Sequence, residues 1–198
     1  MSKEVVKGII FSNRDIAEEF YEFEAASRIL KAINLLIENS EEAQHKLVNG
    51  PFKNISNLQM AKEFCTVKVS TARQTGHSTA IAQFILNRTK ENWIVIAPKL
   101  EMVEHVFDMI AKNSIITNEG KRGCVISERG KYKIKFYDGG SVIGLSNYDI
   151  DTRLCGVQTN GILIDCSTFI SDKIMDEIYC NGMTCMVKNE LKYFICIE

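Results

Sequence analysis

Three runs of the chain, WIVIA (93–97), GILID (161–165) and YFICI (193–197), are apolar at nearly every consecutive position. A strand with one wet face alternates apolar and polar residues, so runs without alternation mark strands covered on both faces. Such strands pair in parallel through crossover connections, which helices supply. The chain offers the needed alternation. A strand-like 65–70 precedes a helical 78–89, and 92–98 precedes a helical 99–113. GCVIS, KYKIKFYD and GSVIGLS follow, then 161–166, a short helix near 172–180 and a last strand at 192–197. Only KYKIKFYDGGSVIGLS alternates, and it turns at Asp138-Gly139-Gly140, a hairpin signal. The expected fold is therefore α/β, a mostly parallel sheet flanked by helices with an inserted β-hairpin.

An N-terminal helical segment precedes this core. Residues 14–39 place Ile16, Phe20, Phe23, Ile29, Ile33 and Leu36 on one helical stripe, and acidic residues in its first half suit the helix dipole. NGPF (49–52) reads as a turn, and a short helix over 55–64 leads into the first strand. The division expected is a helical lead-in over 1–54 and a core over 55–198. With 198 residues and a net charge of −1, the chain has room for one domain and carries no overall basic field, so a nucleic-acid contact would need a local patch. KRGCVISERGKYKIK (121–135) is the basic candidate, though a solvated hairpin face explains it as well. The seven cysteines show no CxxC pair and no Cys/His cluster at metal-ligand spacing, and they read as reduced structural thiols of a cytoplasmic protein. No signal peptide or membrane span is expected.

The chemistry-bearing stretch is TARQTGHST (71–79), where 71–78 is expected as a loop between a central strand and a helix starting near Ser78, with Asp165 at the end of the adjacent strand. In a phosphate-binding P-loop, G-x-x-x-x-G-K-[ST], successive backbone N–H groups wrap the phosphates, the lysine reaches the outer oxygens and the hydroxyl holds Mg²⁺. Here Thr71 stands at the first glycine, Gly76 at the second, His77 at the lysine and Ser78 at the hydroxyl, followed by Thr79. Taken alone this is a weak match. Arg73-Gln74 inside the loop strengthens it, because a long cation there answers an anion. Asp165, 89 residues beyond Gly76, ends an apolar strand with a carboxylate, as a Walker B aspartate facing Mg²⁺ does.

TARQTGHST resembles the A/S-R-Q-x-G-K-[ST]-T loop of the large subunits of tailed-phage terminases, the ATP-driven DNA-packaging motors. YKIKFYDGGSVIGLS is similar to their I-x-L-x-N-G-S-x-I segment, and DTRLCGVQTNGILIDCSTFI to their x-x-R-G-x-x-x-x-x-I-I-D-E-x-x-F stretch, in the same order over about 55–197. The resemblance implies a P-loop NTPase-like fold, with ATP and Mg²⁺ as ligands. It implies nucleotide contacts from Thr71, Arg73, Gln74, Gly76, His77, Ser78 and Thr79, and Mg²⁺ held by Ser78 and Asp165. Asp165 and Arg73 would serve catalysis, Gln59 would read adenine, and Arg153 would contact phosphate or a neighbouring subunit. Both Gln59 and Arg153 also read as ordinary surface residues. Packaging proteins or DNA would be the partners, in the host cytoplasm, with oligomerisation left open.

The chain departs from that pattern where hydrolysis is decided. The family's lysine is His77, shorter and by its ordinary pKa mostly neutral at pH 7. The family's glutamate after the Walker B aspartate is Cys166, and a thiol cannot position water as a carboxylate does. The family's coupling motif and nuclease domain, which would follow YFICIE, are not in this sequence. The expectation is thus a degenerate nucleotide-binding or interaction module, with ATP and Mg²⁺ bound weakly or not at all. A slow but active ATPase, and a truncated packaging-gene product without a role of its own, are the alternatives.

Overall fold

The computed structural model describes residues 13–48, 55–71, 76–114, 126–154, 156–186 and 191–198, with side chains described from residue 24 onward except at 48, 151 and 152. Helices α1 (Asn13–Val48) and α2 (Asn57–Phe64) precede strand β1 (Thr66–Val69). Then follow α3 (His77–Leu86), β2 (Asn92–Ala97), α4 (Leu100–Asn113), β3 (Ile126–Arg129), β4 (Lys133–Phe136), β5 (Ser141–Ser146) and α5 (Ile150–Arg153). β6 (Gly161–Asp165), a 3-10 turn (Ser167–Phe169), α6 (Asp172–Cys185) and β7 (Tyr193–Ile197) complete the fold.

The strands form one seven-stranded sheet in the order β1-β7-β6-β2-β5-β4-β3. The first five are parallel, and β3 and β4 extend the sheet antiparallel beside β5. The α/β class, the mostly parallel sheet and the inserted hairpin all agree with the sequence. Two expectations about order do not. A central strand was expected to lead into 71–78, with the Asp165 strand beside it. In the structure β1 lies at the sheet edge, and β7 separates it from β6. β1 itself explains its place. Its residues alternate, Lys68 is exposed between buried Val67 and Val69, and an outward lysine suits a strand that is the outermost among the described residues. β7 is buried at Phe194, Ile195, Cys196 and Ile197, so it takes the interior position.

Side chains alternate across each strand, so each strand serves two cores. Trp93, Val95 and Ala97 of β2, Leu163 of β6 and Ile195 and Ile197 of β7 pack with α1, α3 and α4. Ile94 and Ile96, Ile162 and Ile164, and Phe194 and Cys196 pack on the other face with α2, α5 and α6. Rings lock both layers. Phe84 meets Trp93 edge-on at 4.9 Å, and Tyr179 meets Phe194 at 5.0 Å.

α1 runs on to Val48, well beyond the expected residue 39. Ala26, Ile29, Ile33 and Ile37 form its buried stripe, and Ser40 and Gln44 continue the same stripe with polar residues that apolar periodicity does not register. Ser40 donates to the Phe64 carbonyl at 2.6 Å. The Gln44 amide donates to the Lys192 carbonyl at 2.9 Å and accepts from the Lys192 N–H at 3.0 Å, pairing with the backbone just before β7 as a neighbouring strand would. Within the helical stripe expected over 14–39, the side chains of Ile16, Phe20 and Phe23 lie outside the described residues.

Candidate functional site

Gly76 precedes α3 with φ 76° and ψ 30°, a left-handed conformation that glycine adopts without steric cost. His77 then opens the helix, and Ser78 and Thr79 follow half-buried in its first turn. The Thr79 hydroxyl is turned toward the Met109 sulfur of α4 at 4.0 Å. Arg73 and Gln74 lie outside the described residues. Strand, glycine-bearing turn and helix are thus in the expected order, with the helix starting one residue before Ser78.

Thr71 is tied at both ends of its side of the loop. Its N–H donates to the Glu198 carbonyl at 2.8 Å, carrying the β1–β7 ladder one step further. Its hydroxyl is hydrogen-bonded to Nε2 of His77.

The parity of β6 carries Asp165 to the same place. Leu163 belongs to the face covered by α1, α3 and α4, and Asp165, two residues on, shares that side of the pleat. Asp165 is only 2% exposed, and its Oδ1 has no hydrogen-bond partner among the described residues. Burial pushes its carboxyl above the ordinary carboxylate range, while a hydrogen bond from Cys166 and the charges of His77 and His105 pull the other way. Cys166 follows with φ 53° and ψ 46°, and among the described residues it alone of the non-glycines has a positive φ. That turn ends the strand and swings the thiol back toward the carboxylate.

The result corrects one expectation. Sequence spacing shows no Cys/His cluster at metal-ligand distances, yet the ligand atoms of His77, Asp165 and Cys166 all lie within 4.8 Å of one another. His77 is far from the other two along the chain, so only the folded sheet brings them together. For Mg²⁺, which takes oxygen ligands, the Asp165 carboxylate and the Ser78 hydroxyl are suitable donors, and the unused Oδ1 leaves capacity for an ion. His77 and Cys166 offer nitrogen and sulfur, which suit softer metals.

Gln59 and Arg153 each have a partner on their own helix or at its N-cap. Gln59 is exposed on α2, where its side chain donates to Glu63 at 3.2 Å, one turn away. Arg153 is exposed on α5, 3.9 Å from Asp149. Cys65 and Cys196 are fully buried, and burial pushes both thiols up to about 11, which keeps them protonated and inert. Trp93 is core, and His45 and His105 are exposed on helices.

Glu198 escaped the sequence reading. Its carboxylate accepts from the Ser70 hydroxyl at 3.1 Å and the Ser167 hydroxyl at 2.9 Å, joining the end of β1 to the turn after β6. The signal was present: YFICIE ends an apolar strand in a carboxylate, as GILID does.

No protein-family model matches the chain, and no curated protein matches it. Solved structures do. The HK97 bacteriophage large terminase matches with a TM-score of 0.54 and 16% identity over 72% of this chain and 31% of its own. The bacteriophage Phi-29 viral genome packaging motor assembly matches at 0.46 with 18% identity, over 72% and 46%. The large terminase ATPase domain of a Thermus phage matches at 0.41 with 14% identity, over 72% and 64%. The chain thus spans about a third of the HK97 protein. At this identity the likeness is one of fold: the chain shares the α/β fold of the HK97 terminase over most of its described length.

Proposed function

We propose that this chain is a terminase-like P-loop nucleotide-binding domain that has lost most or all ATP hydrolysis and acts as a binding or regulatory module in phage DNA packaging. The observation that carries the reading is the meeting of the Asp165 carboxylate with the first residue of α3, directly after the left-handed Gly76. In this reading the N–H groups at the start of α3 and the loop before it cradle the phosphates of ATP, and Ser78 and Asp165 supply oxygens to Mg²⁺. Bound Mg²⁺ would neutralise phosphate charge. His77 and Cys166 stand where a long cation and a water-positioning carboxylate are needed, so binding outlasts turnover. The terminase-like fold supports packaging proteins or DNA as partners, in the host cytoplasm.

One observation favours the second reading, a slow ATPase. Glu198 ends the strand between β1 and β6, and its carboxylate reaches the flanks of both loops, where it could stand in for the missing glutamate. Equilibrium binding of a fluorescent ATP analogue, with and without Mg²⁺, tests the shared premise. Mg²⁺-dependent binding that Asp165→Asn weakens supports the nucleotide site, and no binding under either condition rejects both readings.

A further inference from the structure

We propose that His77, Asp165 and Cys166 form a binding site for a borderline transition-metal ion of the Zn²⁺ class, independent of nucleotide. The three side chains offer one nitrogen, one oxygen and one sulfur, all within 4.8 Å of one another. Ligand atoms about 2.0–2.3 Å from a tetrahedral zinc ion stand roughly 3.3–3.8 Å apart, so closing the cluster takes side-chain movement of about an ångström. Three protein ligands leave a fourth position for water, the arrangement of an open zinc site.

A second observation points to the same ligand. Asp165 is only 2% exposed, and its buried Oδ1 lacks a hydrogen-bond partner among the described residues. A buried polar atom left unpaired carries a desolvation cost that a bound cation removes. The left-handed turn at Cys166 contributes as well. Successive residues of an extended strand point to opposite faces, and the turn is what brings the side chains of neighbours 165 and 166 together. The Thr71 hydroxyl on His77 Nε2 orients the imidazole, as an outer-shell partner does around a metal.

This inference gives the two departures from the packaging-motor pattern a single meaning. Histidine and cysteine each weaken a site built for Mg²⁺ and triphosphate. Together, beside one aspartate, they make a donor set that favours Zn²⁺ or Co²⁺ over Mg²⁺. On binding, the Cys166 thiol gives its proton to solvent and coordinates as thiolate.

Titrating the full chain with Co²⁺, without nucleotide, reads this directly. The expected result is one equivalent bound, with a thiolate-to-cobalt charge-transfer band in the near ultraviolet and displacement by Zn²⁺. Cys166→Ser abolishes the band, His77→Ala lowers affinity at least tenfold, and Cys180→Ser, which changes an exposed thiol on α6, leaves both unaltered. Thr71→Val weakens binding about 10–100-fold with the band retained. Should Cys166→Ser fail to fold, His77→Gln and Asp165→Asn carry the affinity test. Absence of binding, binding unaffected by His77→Gln and Asp165→Asn, or a band that survives in folded Cys166→Ser would overturn the proposal. Because nucleotide is absent throughout, this outcome is separate from that of the ATP-binding experiment.

Discussion

Thr71 and His77 are hydrogen-bonded to each other, side chain to side chain. In the proposed reading these are the positions where a P-loop carries its first glycine and its lysine, and the bond makes them one linked feature that ties the start of the loop to the first turn of α3. Residues in direct contact do not act additively. His77→Lys alone should therefore restore nucleotide binding only in part. Thr71→Gly with His77→Lys should restore more than the sum of the single changes, by a coupling of about 0.5–3 kcal/mol. Calorimetric titration with ATP–Mg²⁺ of all four proteins closes the cycle. Additive effects would mean that the Thr71–His77 bond does not hold the loop.

Asp165 should stabilise the fold more as asparagine than as aspartate at neutral pH. Burial holds its folded carboxyl above the ordinary carboxylate range. A raised acid binds protons more tightly folded than unfolded, so stability is lost as pH climbs from the unfolded value through the folded one. Above that window the full cost of burying the anion is present. Asp165→Asn should then gain about 1–3 kcal/mol at pH 7, and the gain should shrink as pH falls toward 4. Urea unfolding at several pH values measures it, and an Asn variant less stable at pH 7 would show that a partner satisfies the carboxylate.

Much of this architecture is written in local patterns. The strands β2, β6 and β7 are legible because burial on both faces leaves no polar alternation, and the hairpin because Lys133–Phe136 alternates beside a Gly-Gly turn. Spatial order is not local. The exposed Lys68 of TVKV suits an edge and the near-continuous burial of YFICI an interior place, but neither run names its neighbours, so the insertion of β7 between β1 and β6 is fixed only in the folded sheet. The site follows the same division. Asp165 is found from its own strand, whereas the approach of Cys166 and His77 needs the left-handed turn at 166 and the folding of distant segments onto one face.

Gln44 makes a separate, structural prediction. It is 3% exposed, and its amide satisfies both backbone groups of Lys192 at the entrance to β7. Gln44→Ala removes both of these hydrogen bonds to the Lys192 backbone, each loss costing about 1–3 kcal/mol where water cannot enter. A loss of about 2–4 kcal/mol in urea unfolding is expected, by doubling the lower part of that range. A loss under about 0.5 kcal/mol, typical of surface changes, would mean that water replaces the amide.

Turnover is the last quantity at issue. ATP hydrolysis by the unaltered chain should stay near background in a steady-state phosphate-release assay if, as proposed, His77 and Cys166 occupy the positions for charge neutralisation and water orientation. Removing a positioned base costs about 10²–10⁴ in rate. Both defects act on one transition state, so repairing one leaves the other limiting and their effects combine non-additively. Cys166→Glu alone should change little, and His77→Lys with Cys166→Glu should raise turnover well above either single variant. The left-handed backbone at 166 does not bias this comparison, since glutamate and cysteine both carry a Cβ there. Turnover of about 1 s⁻¹ or more in the unaltered chain would reject the degenerate reading. Glu198 would then be the carboxylate to test, because it alone among the described acidic residues bonds both the end of β1 and the turn after β6, and Glu198→Gln should silence the activity while leaving nucleotide affinity in place.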